Sequence, residues 1–216
     1  MNNKFRFIWL LNILLTSGLY AQDCKVCGEY LLKGVMETAS GFKLNPDSTF
    51  EFFFSSGALD RYGSGKWMVF RSTDDKVDII RFNSSPPPGP AIKTITTEKR
   101  KQKQLLLQLK DVNPVLKSYF IVLAFAGKDT VVEPFNQDGI AGLDGKIYDS
   151  LQVALEFCPD NLIVLQTSTG NNYFELSAEE WIFEYFFKNF VLIVREEELE
   201  GKHPLMEGGF IYKKQE

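Results

Sequence analysis

Apolar side chains in this chain recur at a period of two, in short runs punctuated by turn residues. Phe50, Phe52 and Phe54 alternate with Glu51 and Phe53, and Leu151, Val153, Leu155 and Phe157 alternate with Gln152, Ala154 and Glu156. Successive side chains of an extended strand point to opposite faces, so this pattern is that of half-buried strands. Sustained helical periodicity is missing beyond the first residues. Many short strands with closely spaced turn signals predict an all-β protein.

The strands can be followed along the chain. Gly41–Leu44 and Thr49–Ser55 form a hairpin around Asn45-Pro46-Asp47-Ser48, with Pro46 suited to the second position of a type I turn. Tyr62–Phe70 carries Gly63, Gly65, Trp67 and Val69; Ser72–Lys76 is a polar turn, and Val77–Phe82 is the next strand. Ser84–Pro90 reads SSPPPGP, a stiff extended connector because proline fixes φ and donates no hydrogen bond. Ile92–Thr97 is β-branched, and Glu98–Lys103 (EKRKQK) is a basic run that reads as a solvated hairpin tip. Further strands are expected at 105–109, 119–125, 130–133, 151–157 (ended by Cys158-Pro159), 162–165, 173–176, 190–194 and 210–213. Asp111–Pro114, Asn136–Gly139 and Asp144-Gly145 mark turns, and Glu196, Glu197, Glu198 and Glu200 read as exposed.

Residues 177–188 carry two signals. Ser177 and Glu180 make a capping-box pattern, which favours a helix. Trp181, Phe183, Tyr185 and Phe187 alternate with Ile182, Glu184, Phe186 and Lys188, and aromatic density favours a strand. A strand is expected, with a short helix left open.

The first 21 residues read as a signal peptide: Lys4 and Arg6, an apolar run from Phe7 to Leu15 broken by Asn12, then Thr16-Ser17-Gly18 and cleavage after Ala21. The run is shorter than the roughly 20 residues a spanning helix needs. Gln22 and Asp23 before Cys24 do not suit lipid attachment. Cleavage takes the 24 basic residues to 22 against 28 acidic, a net charge of −6 in place of −4. That balance argues against nucleic acid and against an anionic-lipid surface as partners.

Cys24 and Cys27 form a C-x-x-C pair, and Cys158 stands apart. No strand precedes Cys24 in the mature chain to build a redox motif, and a zinc site would have to recruit Cys158 and His203. In an exported chain the reading is a disulfide from Cys24 or Cys27 to Cys158, with one thiol left over. No catalytic, cofactor-binding or metal-binding set emerges. His203, the one histidine, precedes Pro204 in a Gly-rich tail and reads as a solvated loop residue; it has no G-x-S-x-G partner. Gly63-Ser64-Gly65-Lys66 lacks P-loop spacing. Asp47, Asp74, Asp75, Asp138 and Asp144 fall in turns, so a paired-acid hydrolase has no pattern of its own. The 19 Phe largely serve a β core, and the candidate ligand-facing residues are Phe53, Phe54, Leu59 and Trp67, around the loop Phe53–Leu59.

Two resemblances accompany these motifs. Gly28-Glu29-Tyr30, Leu44–Phe50, Gly65-Lys66-Trp67 and Asp78-Ile79-Ile80 resemble the lipocalin-like β-meander of exported bacterial proteins, over about residues 24–83, with Ser48 where that family has Gly and Tyr30 where it has Trp. Leu109-Lys110-Asp111, Pro114-Val115-Leu116 and Gln137–Ala141 are similar to the carboxypeptidase-regulatory-like, transthyretin-like β-sandwich, over about 105–176, with Asn113 in place of a Gly. The second resemblance implies a non-catalytic module that stabilises or presents its neighbours, and neither brings catalytic residues.

The resulting expectation is an antiparallel β-meander or half-barrel followed by a β-sandwich, after a cleaved signal helix. Residues 1–21 are the signal, 22–83 the meander, 84–104 the Pro-rich connector with a basic hairpin, and 105–216 the sandwich. The expected protein is exported from a Gram-negative-type bacterium to the periplasm, outer surface or medium. It is non-catalytic and free of cofactors, and acts in binding or envelope assembly with a protein, glycan or small apolar ligand. A lipocalin-like carrier and an acid-pair hydrolase are the alternatives.

Overall fold

The computed structural model describes residues 24–57, 59–71, 77–167 and 170–216. The signal segment, its cleavage point after Ala21, Ala58 and the turn at 72–76 lie outside the described residues. The chain is all-β, as the alternation requires. Its first strands are β1 (Gly28–Leu32), β2 (Thr38–Leu44), β3 (Thr49–Ser56), β4 (Leu59–Arg71) and β5 (Asp78–Asn83). Then come β6 (Ile92–Glu98), β7 (Leu105–Leu109), a single helical turn α1 (Pro114–Lys117), β8 (Phe120–Ala126), β9 (Asp129–Pro134), β10 (Ile140–Leu143), β11 (Ser150–Leu155), β12 (Cys158–Gln166) and β13 (Tyr173–Ala178). The chain ends in β14 (Phe190–Arg195), β15 (Glu198–Lys202) and β16 (Gly209–Lys214).

These strands build two bodies. β1–β5 and β14–β16 close an antiparallel eight-stranded barrel in the order β1-β16-β15-β14-β5-β4-β3-β2. β6–β13 form two four-stranded sheets, β10-β7-β13-β6 and β12-β11-β8-β9, which enclose one apolar core that includes Leu107, Phe120, Val122, Leu151, Val153 and Phe174. The sandwich is therefore inserted into the barrel. The expected division, with a sandwich running from 105 to the end, is corrected at both ends: β6 belongs to the sandwich and β14–β16 to the barrel. In the acidic run at 196–200, Glu196, Glu197 and Glu200 are exposed as expected and Glu198 is half-buried, but a strand that the alternation did not reveal lies within it. Glu196 and Glu197 make a turn and β15 follows, with Leu199 fully buried. Its alternation is only five residues long and hidden among charges.

The barrel lumen is filled. Phe42, Phe50, Phe52, Phe82, Phe187 and Tyr212 meet there, with ring centroids of Phe42 at 4.8 Å from Phe82, 5.0 Å from Phe52 and 5.1 Å from Tyr212. Small closed barrels are packed by their inward side chains, and this one uses aromatics. Phe187 enters from the return connection, 5.1 Å from Phe50 and 5.2 Å from Phe52. Gly63 makes the room, since a Cβ there would lie 2.8 Å from Phe187 Cε2 and 2.6 Å from the Tyr185 carbonyl.

The return connection explains the ambiguity at 177–188. It is neither a strand nor a capped α-helix. β13 ends at Ala178, a 3-10 turn covers Glu180–Phe183, and Glu179 at its start makes no side-chain cap. The aromatics alternate because the segment serves two cores: Trp181, Ile182 and Phe183 pack on the sandwich, and Tyr185 and Phe187 on the barrel.

The cysteine expectation is also corrected. Cys24 bonds to Cys27, and Cys158 is a free, fully buried thiol. A tight turn, with Cys27 N–H donating to Cys24 C=O at 3.0 Å, brings the first two together. They pack on the barrel core, whereas Cys158 opens β12 inside the sandwich core. Burial pushes its thiol up to about 11, so Cys158 stays protonated and inert at neutral pH.

Candidate functional site

On the outer wall of the barrel, strand register aligns two cross-strand rows. Leu31 faces Gly41, Gly41 faces Phe53, and Phe53 faces Tyr62. The adjacent row is Glu29, Lys43, Glu51 and Ser64. An apolar strip thus lies beside a polar one on a rigid sheet. Leu31, Phe53 and Tyr62 are 37%, 43% and 46% exposed. Gly41 gives the strip its shape: a Cβ there would fall 2.8 Å from Leu31 Cδ2 and 2.9 Å from Phe53 Cε1. Both side chains therefore lean over the glycine, and together with the polar row they line a depression of about 480 Å³.

Tyr62 carries the strip to the junction with the sandwich. There it shares a second depression, of about 520 Å³, with Val115, Leu116, Tyr119, Phe157 and Phe183. The Tyr119 and Phe157 rings lie 4.8 Å apart, and Val115 is 72% exposed. Val115 is held by the turn at α1, where the Asn113 side chain accepts from Val115 N–H at 3.0 Å ahead of Pro114, an ordinary helix start. Burial raises the Tyr62 phenol, helped by Glu184 and Glu180, so it is a neutral hydrogen-bonding tip on an apolar ring. Burial also raises the Glu184 carboxyl, against a hydrogen bond from Ser64.

The junction is fixed by a built-in clamp. Arg61, 3% exposed, makes a bidentate pair with Asp160 of β12 at 3.0 and 2.9 Å, and its Nε donates to the Phe183 carbonyl at 2.9 Å. Asn161 donates to the Ile182 carbonyl at 2.7 Å, and Tyr185 N–H to the Tyr62 carbonyl at 2.6 Å. The two depressions are thereby held in one continuous surface.

Of the residues expected to face a ligand, Phe53 does lie on this strip. Phe54 and Trp67 point the other way, into the barrel, at 5% and 8% exposed. Phe54 packs 5.2 Å from the ring of His203, and Trp67 Nε1 donates to the Asn45 carbonyl at 3.2 Å. Leu59 is half-buried against the barrel core. The four residues do not form one site, because neighbours such as 53 and 54 must face opposite sides of a strand. Leu31, Tyr62, Tyr119 and Phe157 escaped the sequence reading. Tyr62 carried a signal, since it stands at odd phase to the inward Trp67, but its pairing with Phe53 depends on register.

His203 is not a solvated tail residue. It is 4% exposed, ringed by Phe52, Phe54, Phe210 and Tyr212, and its Nε2 lies 3.1 Å from Ser40 Oγ. A serine–histidine pair invites a catalytic reading, and the hydrogen bonds refuse it. Nδ1 accepts from Leu205 N–H at 2.9 Å, so Nε2 carries the proton and donates to Ser40, which in turn donates to the Phe53 carbonyl at 2.9 Å. The imidazole is no base toward that hydroxyl, and Ser40 is 2% exposed. Burial drives the imidazole down to about 4. Comparison with protein-family models, with curated proteins and with solved structures finds no match to this chain.

Proposed function

We propose that this is an exported, non-catalytic binding protein that docks a protein partner along the strip from Leu31, Phe53 and Tyr62 to Tyr119 and Phe157. The observation that carries the reading is the alignment of exposed aromatic rings on rigid strands, beside a polar row and across a clamped junction. Interfaces concentrate their energy in such aromatic anchors with a polar rim around them. The signal-like first segment supports export to the envelope or beyond. The likeness to lipocalin-like meanders and to transthyretin-like sandwiches, which present or stabilise neighbours, supports a non-catalytic role. The carrier alternative wants an open lumen, and here the lumen is occupied by phenylalanine rings.

The test is capture of partners from envelope extracts of the protein's own host, comparing the wild type with a Phe53→Ala/Tyr62→Ala double variant of unchanged melting temperature. A partner retained by the wild type and weakened at least tenfold by the double variant supports the reading. Equal retention by both proteins rejects this strip as the docking face.

A further inference from the structure

We propose that the end of the sandwich carrying the basic run binds an anionic polysaccharide. The run is not a hairpin tip. β13 lies between β6 and β7 in the sheet, so residues 99–104 arch across the start of β13. Asn172, just before β13, pins the arch. Its side-chain amide donates to the carbonyls of Arg100 and Gln102, and its Oδ1 accepts from Arg100 N–H at 2.6 Å. The 144–147 loop packs directly against it, since a Cβ on Gly145 would lie 2.6 Å from the Lys103 carbonyl.

This framework fixes where the charges go. Arg100 is used internally: its Nε donates to Glu98 at 2.9 Å and its guanidinium stacks over Tyr173. Lys99, Lys101, Lys103 and Lys146 are exposed, and among the described residues none of the four is in a salt bridge. The acids nearest in sequence are Glu98, already paired, and Asp144. Lys103 and Lys146 flank a notch of about 210 Å³, also lined by Thr167 and Asn171, with room for a single anionic group.

A chain of net charge −4 that gathers four free ammonium groups at one end selects a strongly anionic partner there. Lysines strung along a loop act as point charges and suit a row of separated anions better than one bidentate carboxylate. At the notch the Thr167 hydroxyl donates to the Tyr148 carbonyl and the Asn171 amide donates to Thr97, which leaves their oxygens to accept from sugar hydroxyls. Among the described residues at this end, only Ile147, 92% exposed, offers an apolar prong, which is little for insertion into a bilayer.

The experiment is calorimetric titration of the full chain with polygalacturonate and with heparin at low salt. Binding to both is expected, weakening more than tenfold between about 50 and about 200 mM salt. A Lys101→Glu/Lys103→Glu/Lys146→Glu variant should lose at least tenfold in affinity, and a Lys→Gln version of the same triple should lose less. A Lys33→Glu/Lys66→Glu/Lys213→Glu variant should bind as the wild type does. Circular dichroism checks that each variant is folded. The proposal is overturned by no binding to either polymer, or by equal losses in the two charge-reversal triples. It is also overturned by binding to phosphatidylglycerol vesicles alone that Ile147→Asp abolishes.

Discussion

Ser48 sits at φ 63° in the β2–β3 turn, where the lipocalin-like pattern has glycine. The turn compensates in part: Asp47 Oδ1 accepts from both the N–H and the hydroxyl of Thr49, which also holds the Asp47 carboxyl below its usual range. A left-handed conformation still costs a residue with a Cβ about 1 kcal/mol or more, and glycine gives some of that back in unfolded-state entropy. Ser48→Gly should therefore raise stability by about 0.5 to 1 kcal/mol in urea denaturation. His203 offers a second residue-scale prediction. Its folded pKa of about 4 lies below the ordinary value of 6.5, so the unfolded chain takes up the proton first. The stability it confers is complete above pH 6.5 and is lost as pH falls toward 4. Between pH 7 and pH 5 the wild type should lose about 2 kcal/mol. Because His203 is the one histidine, His203→Gln should be nearly flat over the same window.

At the scale of elements, Phe187 plugs the barrel from a connecting segment and not from a strand. Truncating a buried phenylalanine costs about 3 to 5 kcal/mol, so Phe187→Ala should lower the denaturation midpoint sharply. Phe186→Ala, one residue away, removes a ring outside the barrel core and should cost much less. This pair also shows what the sequence could and could not convey. Alternation at 50–54 and 151–155 exposed the strands, because period two is a local property. At 181–187 the same alternation was misleading, because its two halves answer to different cores. β15 was hidden because five residues crowded with glutamates carry too short a pattern. Barrel closure was out of reach as well: the pairing of β1 with β16, with Leu31 opposite Lys213, is set by register between the two ends of the chain. The strip is invisible for the same reason, since Leu31, Gly41, Phe53 and Tyr62 become neighbours only through three registers.

For the whole molecule, Arg61 joins the barrel to the sandwich and keeps the two depressions contiguous. Asp160 is partly exposed, so its loss is softened by water, but the buried guanidinium also satisfies the Phe183 carbonyl. Arg61→Met should cost about 2 to 3 kcal/mol, a fall of about 5 to 10 °C in melting temperature by calorimetry. Arg61→Lys should rescue only part of it, since an ammonium cannot reproduce the bidentate pair. The two faces assigned to binding lie on different parts of the fold, the aromatic strip at the junction and the basic arch on the sandwich, so each can be silenced without the other. The central claim, docking along the strip, is tested most directly by site-specific photo-crosslinking in the host envelope. A photoreactive phenylalanine is placed in turn at 53, 62 and 119, and at Val69, Val191 and Ile211 elsewhere on the barrel. One shared adduct from the first three positions, absent from the second three, is the predicted result. Adducts of equal yield at all six positions, or at none of the first three, would contradict the account.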